Sequence, residues 1–175
     1  FDNDVSEVIK SAYLFYQLNN IDGKLTSFYS TSNACIHLSG IKKTYINFNV
    51  EFGLTGGEDV ELFSRLKKYG YKLISASSAR VYENVPKTRT NILWLFKRAF
   101  RTGNDYTRIT IKNKGRFLIY IKQFFRGIIQ GLAAFFLSLF FLPVNKIKSF
   151  NWFLKAASNF GKPFAVLGVH PKEYK

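Results

Sequence analysis

The run Gly56-Gly57-Glu58-Asp59-Val60-Glu61 places three carboxylates directly behind two glycines. The glycines permit a tight loop, and the carboxylates fall at or just inside a helix N-terminus, where free N–H groups and the helix dipole stabilise negative charge. Such a group has two uses. It can cap the helix, or, held ionised beside a cleft, it can take a proton from a substrate hydroxyl. Other reactive types are sparse. His37 falls in a predicted strand and His170 near the end of the chain, with no second ligand at metal spacing, so both read as structural or solvated. Cys35, between Ala34 and Ile36, reads as a buried small hydrophobe.

The elements that would position these residues follow from periodicity. Val60, Phe63 and Leu66 share one helical face over Val60–Tyr69, and Gly70 suits the left-handed end of that helix. Val5–Leu18 has roughly helical spacing, and Asn19–Gly23 reads as a turn. Leu25–Leu38 predicts two short strands or one interrupted strand, and Ile41–Leu54 an irregular loop. Tyr71–Ala76 and Ala79–Tyr82 predict further strands. Thr90 can cap a helix over Asn91–Thr102, with Gly103 as its stop, and another helix is predicted over Ser149–Phe160.

Composition narrows the class. The chain has 175 residues, 47% of them hydrophobic, and one cysteine, which together exclude disorder and a disulfide scaffold. Phe1 opens a segment that reads as mid-domain and methionine is absent, so the sequence reads as a piece of a longer protein. The net charge of +15 is uneven: residues 1–58 carry −2 and residues 59–175 carry +17. Between Lys87 and Arg126 eleven basic residues face Asp105 alone. Charge of this kind admits nucleic acid, anionic lipid headgroups or a phosphorylated small molecule.

The stretch from Thr31 to Asp105 resembles the C-terminal half of the catalytic domain of family 2 glycosyltransferases. The matching pieces, in order, are Ser32-Asn33-Ala34, the loop Phe48-Asn49-Val50-Glu51-Phe52-Gly53, then Gly57-Glu58-Asp59, Arg65, and Gly70-Tyr71-Lys72-Leu73-Ile74. Ala79-Arg80-Val81-Tyr82 and the basic helix with Arg98 and Arg101 complete the series. The resemblance implies an α/β fold, a partial GT-A domain over residues 1–110, followed by C-terminal helices as a basic, hydrophobic, membrane-associated tail over 111–175.

The activity implied is inverting transfer of a sugar from a nucleotide-diphosphate donor to a hydroxyl of a glycan or lipid-linked acceptor. That reaction needs a base, positive charge on the leaving diphosphate, and a positioned sugar. Asp59 matches the family's base, with Glu58 second. Asn33 and Gly57 fall in its substrate-binding motifs, and Arg98 and Arg101, three residues apart, could clamp the diphosphate. The resemblance also implies a divalent metal, Mg or Mn, with its ligands mostly outside this fragment. Asp2-Asn3-Asp4 has the spacing of a metal-binding D-x-D but reads as helix N-terminal capping. Asn49 and Val50 stand where the family commonly has acidic residues.

Gly127–Leu142 is a run of 16 residues without a charge. As a helix it would span about 24 Å, short of the roughly 30 Å hydrocarbon core. The expectation is a helix lying in the interface, on an anionic membrane surface at the cytoplasmic face of the inner membrane. The competing class is a non-catalytic basic module binding membrane or nucleic acid. It is served by charge alone, and no nucleic-acid motif accompanies that charge.

Overall fold

The computed structural model describes residues 4–15, 21–26, 31–39, 41–42 and 46–172. Its helices are α1 (Glu7–Lys10), α2 (Glu58–Lys68), α3 (Ile92–Lys114), α4 (Phe117–Phe141) and α5 (Lys146–Val166). Single 3₁₀ turns occur at Tyr13–Phe15, Val50–Phe52 and Lys87–Arg89. The chain divides into two compact units, Phe1–Gln17 with Asn84–Pro171, and Leu18–Glu83 with Lys172–Lys175.

The α/β expectation is corrected: helices dominate, and no strand is formed among the described residues. Leu25 and Ile74 make an isolated antiparallel bridge, flanked by Thr26 N–H donating to Leu73 O at 3.0 Å and Ser75 N–H to Lys24 O at 2.9 Å. A helix satisfies its backbone within itself, whereas a strand is completed only by a neighbour at long sequence separation. The segments read as strands have the right residue types, but among the described residues they pair only around Leu25 and Ile74. Leu25, Ile74 and Tyr82 all remain exposed.

Helices α3, α4 and α5 form the first unit, with α5 in the middle. Leu95 and Ala99 of α3 meet Leu154 and Ala157 of α5 in a core that also takes in Ala12. Further along, Asn104 Nδ2 donates to Gly161 O and Val169 O, so α3 and α5 run parallel. Ser138 of α4 exchanges hydrogen bonds with Ser149 of α5, and Gly127 lies against Pro163, so α4 is antiparallel to α5.

Five sequence expectations change here. Gly103 does not stop α3, which runs on to Lys114 and ends at Gly115 in the left-handed conformation. A Cβ on Gly103 would lie 1.7 Å from Ser158 O, so this glycine serves close helix approach. Asn91, rather than Thr90, caps α3 by accepting from Trp94 N–H at 2.8 Å. The Val5–Leu18 segment is broken into α1, capped by Ser6, and the turn Tyr13–Phe15. Asp4 does not cap it; it pairs with Lys87 at 3.0 Å, while Asp2 and Asn3 lie outside the described residues. Cys35 is exposed, contrary to expectation, because no ladder covers its segment.

In the second unit Leu62, Phe63 and Leu66 bury the inner face of α2 against Ile36, Ile41, Tyr71 and Leu73. This core anchors the helix whose N-terminus carries the carboxylates.

Candidate active site

The turn Val50–Phe52 sets up the approach to α2. Asn49 accepts from Glu51 N–H at 3.1 Å, and Phe52, fully buried, pins the turn to the unit. Phe52 O then accepts from Thr55 and Gly56 N–H, which brings the chain round sharply. Gly56 and Gly57 follow with φ of 81° and 85°, a conformation that disfavours any side chain. Gly57 is the residue ahead of α2, and its carbonyl accepts from Glu61 N–H at 2.9 Å. The two glycines therefore turn the chain into the helix so that Glu58, Asp59 and Glu61 all lie in the first turn.

The three carboxylates are not equivalent. Glu61 is buried and grips the Arg65 guanidinium with both oxygens, at 3.0 and 3.1 Å. Arg65 Nη2 also donates to Asn47 O at 2.6 Å, fastening the loop before the turn to the helix. This pair is structural, and sequence reasoning missed it although Glu61 and Arg65 have the i, i+4 spacing of a helical ion pair. Asp59 is half-buried and accepts from Val60 N–H at 2.7 Å. Glu58 has a buried Oε2 with no hydrogen-bond partner among the described residues.

The remaining predicted residues fall elsewhere. Asn33 spends its amide on Ala79 O at 2.6 Å, tying two loop segments of the second unit together. Arg98 and Arg101 are on α3, in the other compact unit. The Arg98 guanidinium stacks on the Trp94 ring at 5.1 Å, with Arg89 at 5.9 Å. No group of three His, Cys, Asp or Glu side chains converges among the described residues. With Glu61 neutralised by Arg65, the described residues do not supply the ligand set of a divalent metal.

Residues 9–164 match the family described as glycosyl transferase family group 2. The chain belongs to that family. Among curated relatives of this family 2 chain, the succinoglycan biosynthesis protein ExoM of Rhizobium meliloti (strain 1021) is 32% identical over 79 residues. That alignment takes in 45% of this chain and 26% of ExoM, so the chain spans about a quarter of the relative it matches. No solved structure matches it.

Proposed function

We propose that this chain carries part of an enzyme that moves a sugar from a nucleotide-diphosphate donor to a hydroxyl of a glycan or lipid-linked acceptor, in polysaccharide synthesis. Family membership and the succinoglycan role printed for ExoM support the class. One observation carries the site: Glu58 and Asp59 stand together at the N-terminus of α2, turned into place by two left-handed glycines, beside a third carboxylate already consumed by Arg65.

Asp59 takes the proton of the acceptor hydroxyl as the hydroxyl oxygen attacks the anomeric carbon and the nucleoside diphosphate departs from the opposite face. Its hydrogen bond from Val60 N–H holds the carboxylate in place. By the family resemblance alone, Gly57 and Asn33 serve substrate binding and Arg98 and Arg101 the leaving diphosphate. A second reading gives the base role to Glu58, favoured by its unpartnered Oε2.

The experiment compares turnover and donor affinity in the full-length enzyme. Asp59→Asn should lower turnover by about 10²–10⁴-fold with donor affinity nearly intact. A matched loss in Glu58→Gln alone moves the role to Glu58. Near-normal turnover in both variants would overturn the assignment.

The same reading places the enzyme on the cytoplasmic face of the inner membrane, with residues 1–110 carrying the transfer and 111–175 the membrane contact. Helix α4 is 25 residues, longer than the uncharged run suggested, and is long and apolar enough to cross a membrane by length and composition. Its inner face is Gln123, Gly127, Gly131, Ala134 and Ser138, while Phe117, Phe125, Phe136 and Phe140 point outward. Small and polar inside with aromatic outside is the distribution expected where lipid is the outer solvent. An orientation in the membrane plane is supported by its neighbours. Crossing upright would carry α5 with it, and with α5 the parallel α3 and its Lys97, Arg98, Arg101, Asp105 and Arg108. Each such charge costs about 2.5–3.5 kcal/mol at the bilayer centre.

A further inference from the structure

A cavity of about 420 Å³ opens in the helical unit between α4, α5 and the Tyr13–Phe15 turn. Its apolar wall is Ala133, Ala134, Leu137 and Trp152, and its polar wall is Tyr13, Gln130, Lys155, Ser158 and Asn159. Behind the polar wall lies Lys162, itself 8% exposed. Its ammonium donates to Gln130 Oε1 at 3.0 Å and Asn159 Oδ1 at 2.6 Å. Those are neutral oxygens. They orient the ammonium without cancelling its charge, and no carboxylate pairs with it among the described residues. A buried ammonium without a counter-charge is costly. Burial, and then repulsion from Arg126, pull the Lys162 pKa below its ordinary value, the direction expected of a cation lacking an anion.

The cavity has donors to offer such an anion. Gln130 Oε1 is held by two cations, Lys162 and the Arg126 Nε at 3.2 Å. That fixes the flip of the amide, so its Nε2 points away from them and makes no hydrogen bond among the described residues. The Lys155 ammonium lies over the Trp152 ring at 4.3 Å and likewise makes no hydrogen bond there. Around the cavity, residues 84–171 hold fifteen Lys and Arg against Asp105 alone. The other described acids of the helical unit are engaged elsewhere, Asp4 with Lys87 and Glu7 with Lys10, so none pairs with Lys162.

We propose that this cavity binds a phosphate group borne by a lipid, with Lys155 and Gln130 as its donors and Lys162 as the buried charge behind them. Two features point to a lipid over a free anion. Most of the cavity surface is apolar, and one of its walls is α4, whose outer face is aromatic. The proposal shares the membrane contact with the reading above but does not rest on sugar transfer.

The test measures binding of the full chain to phosphatidylcholine vesicles with and without phosphatidic acid, and to inorganic pyrophosphate in solution. Gln130→Leu changes no charge, and Lys155→Ala changes an exposed residue that should leave the fold intact. Both should weaken phosphatidic-acid-dependent binding by about tenfold, the loss expected of a charge-assisted hydrogen bond, while partition into phosphatidylcholine alone is unchanged. Lys146→Ala, outside the cavity, removes the same charge and should cost less than Lys155→Ala. Equal losses in the two lysine variants with none in Gln130→Leu would overturn the site in favour of diffuse attraction. Pyrophosphate binding that depends on Lys155, with no preference for phosphatidic-acid vesicles, would overturn the lipid and leave a soluble phosphate compound as the ligand. Because the readout is binding, failure of transfer in Asp59→Asn leaves this proposal untouched.

Discussion

The three acidic side chains in the first turn of α2 show how one local pattern splits into different tasks. Glu61 is committed to Arg65 through a two-oxygen, two-nitrogen pair that a lysine cannot reproduce. Arg65→Lys should therefore destabilise the second unit by about 1.5–3 kcal/mol, the worth of a charged hydrogen bond, read as a lowered denaturant midpoint. An unchanged midpoint would mean that the pair is dispensable. His170 offers a second test at this scale. Asn104 donates with Nδ2 to two carbonyls, so its Oδ1 accepts and the His170 Nδ1 must carry the proton, at 3.0 Å. Burial, then the Arg108 charge, lower the His170 pKa from its ordinary 6.5. The folded chain thus prefers the neutral ring. Its contribution is complete above the ordinary value and is lost as pH falls through it toward the folded value. Melting temperature should drop between pH 7.5 and 5.5, and His170→Gln should flatten that drop. An identical pH profile in the variant would remove His170 as its source.

At the scale of elements, the helical unit is built on glycines. Cβ atoms on Gly103 and Gly161 would come within 1.7 and 2.1 Å of backbone carbonyls, Ser158 O and Phe100 O. Backbone cannot swing aside as a side chain can, so the helices must separate. Gly161→Ala should then cost at least about 1–3 kcal/mol, measured by urea unfolding, although alanine is the better helix former. Gly131→Ala should cost less, because the nearest atoms there belong to the Phe160 ring, at 2.7 Å, which has more freedom to shift. A reversed order would show that α3 and α5 do not pack at this distance.

For the whole molecule, the membrane reading predicts how the protein leaves the bilayer. A helix lying in the interface is held by its aromatic outer face and by basic residues such as Lys122, Arg126, Lys146 and Lys148. High salt or alkaline carbonate should release at least part of the protein from membranes. Phe136→Ser with Phe140→Ser should shift more of it into the soluble fraction. Complete retention in carbonate, with a reporter after Lys175 found on the far side, would establish a span instead.

Much of the chemistry was legible in the residues alone. Two glycines before Glu58-Asp59, apolar residues at helical spacing from Val60 to Leu66, and Gly70 behind them specify α2 and its acidic first turn locally, and the structure has that helix at Glu58–Lys68. The family was also legible, because an ordered series of short motifs survives without any knowledge of packing. Three things depended on the third dimension. Whether β-branched segments become strands depends on a partner far away in sequence, and among the described residues only Leu25 and Ile74 meet. Gly103 has the same identity as a helix stop or as a contact glycine; Ser158, 55 residues later, makes it the latter. The distinct environments of Glu58, Asp59 and Glu61 arise from Arg65, the Phe52 turn and burial. Three adjacent acids look alike until their neighbours withdraw one, anchor another and leave the last with an open oxygen.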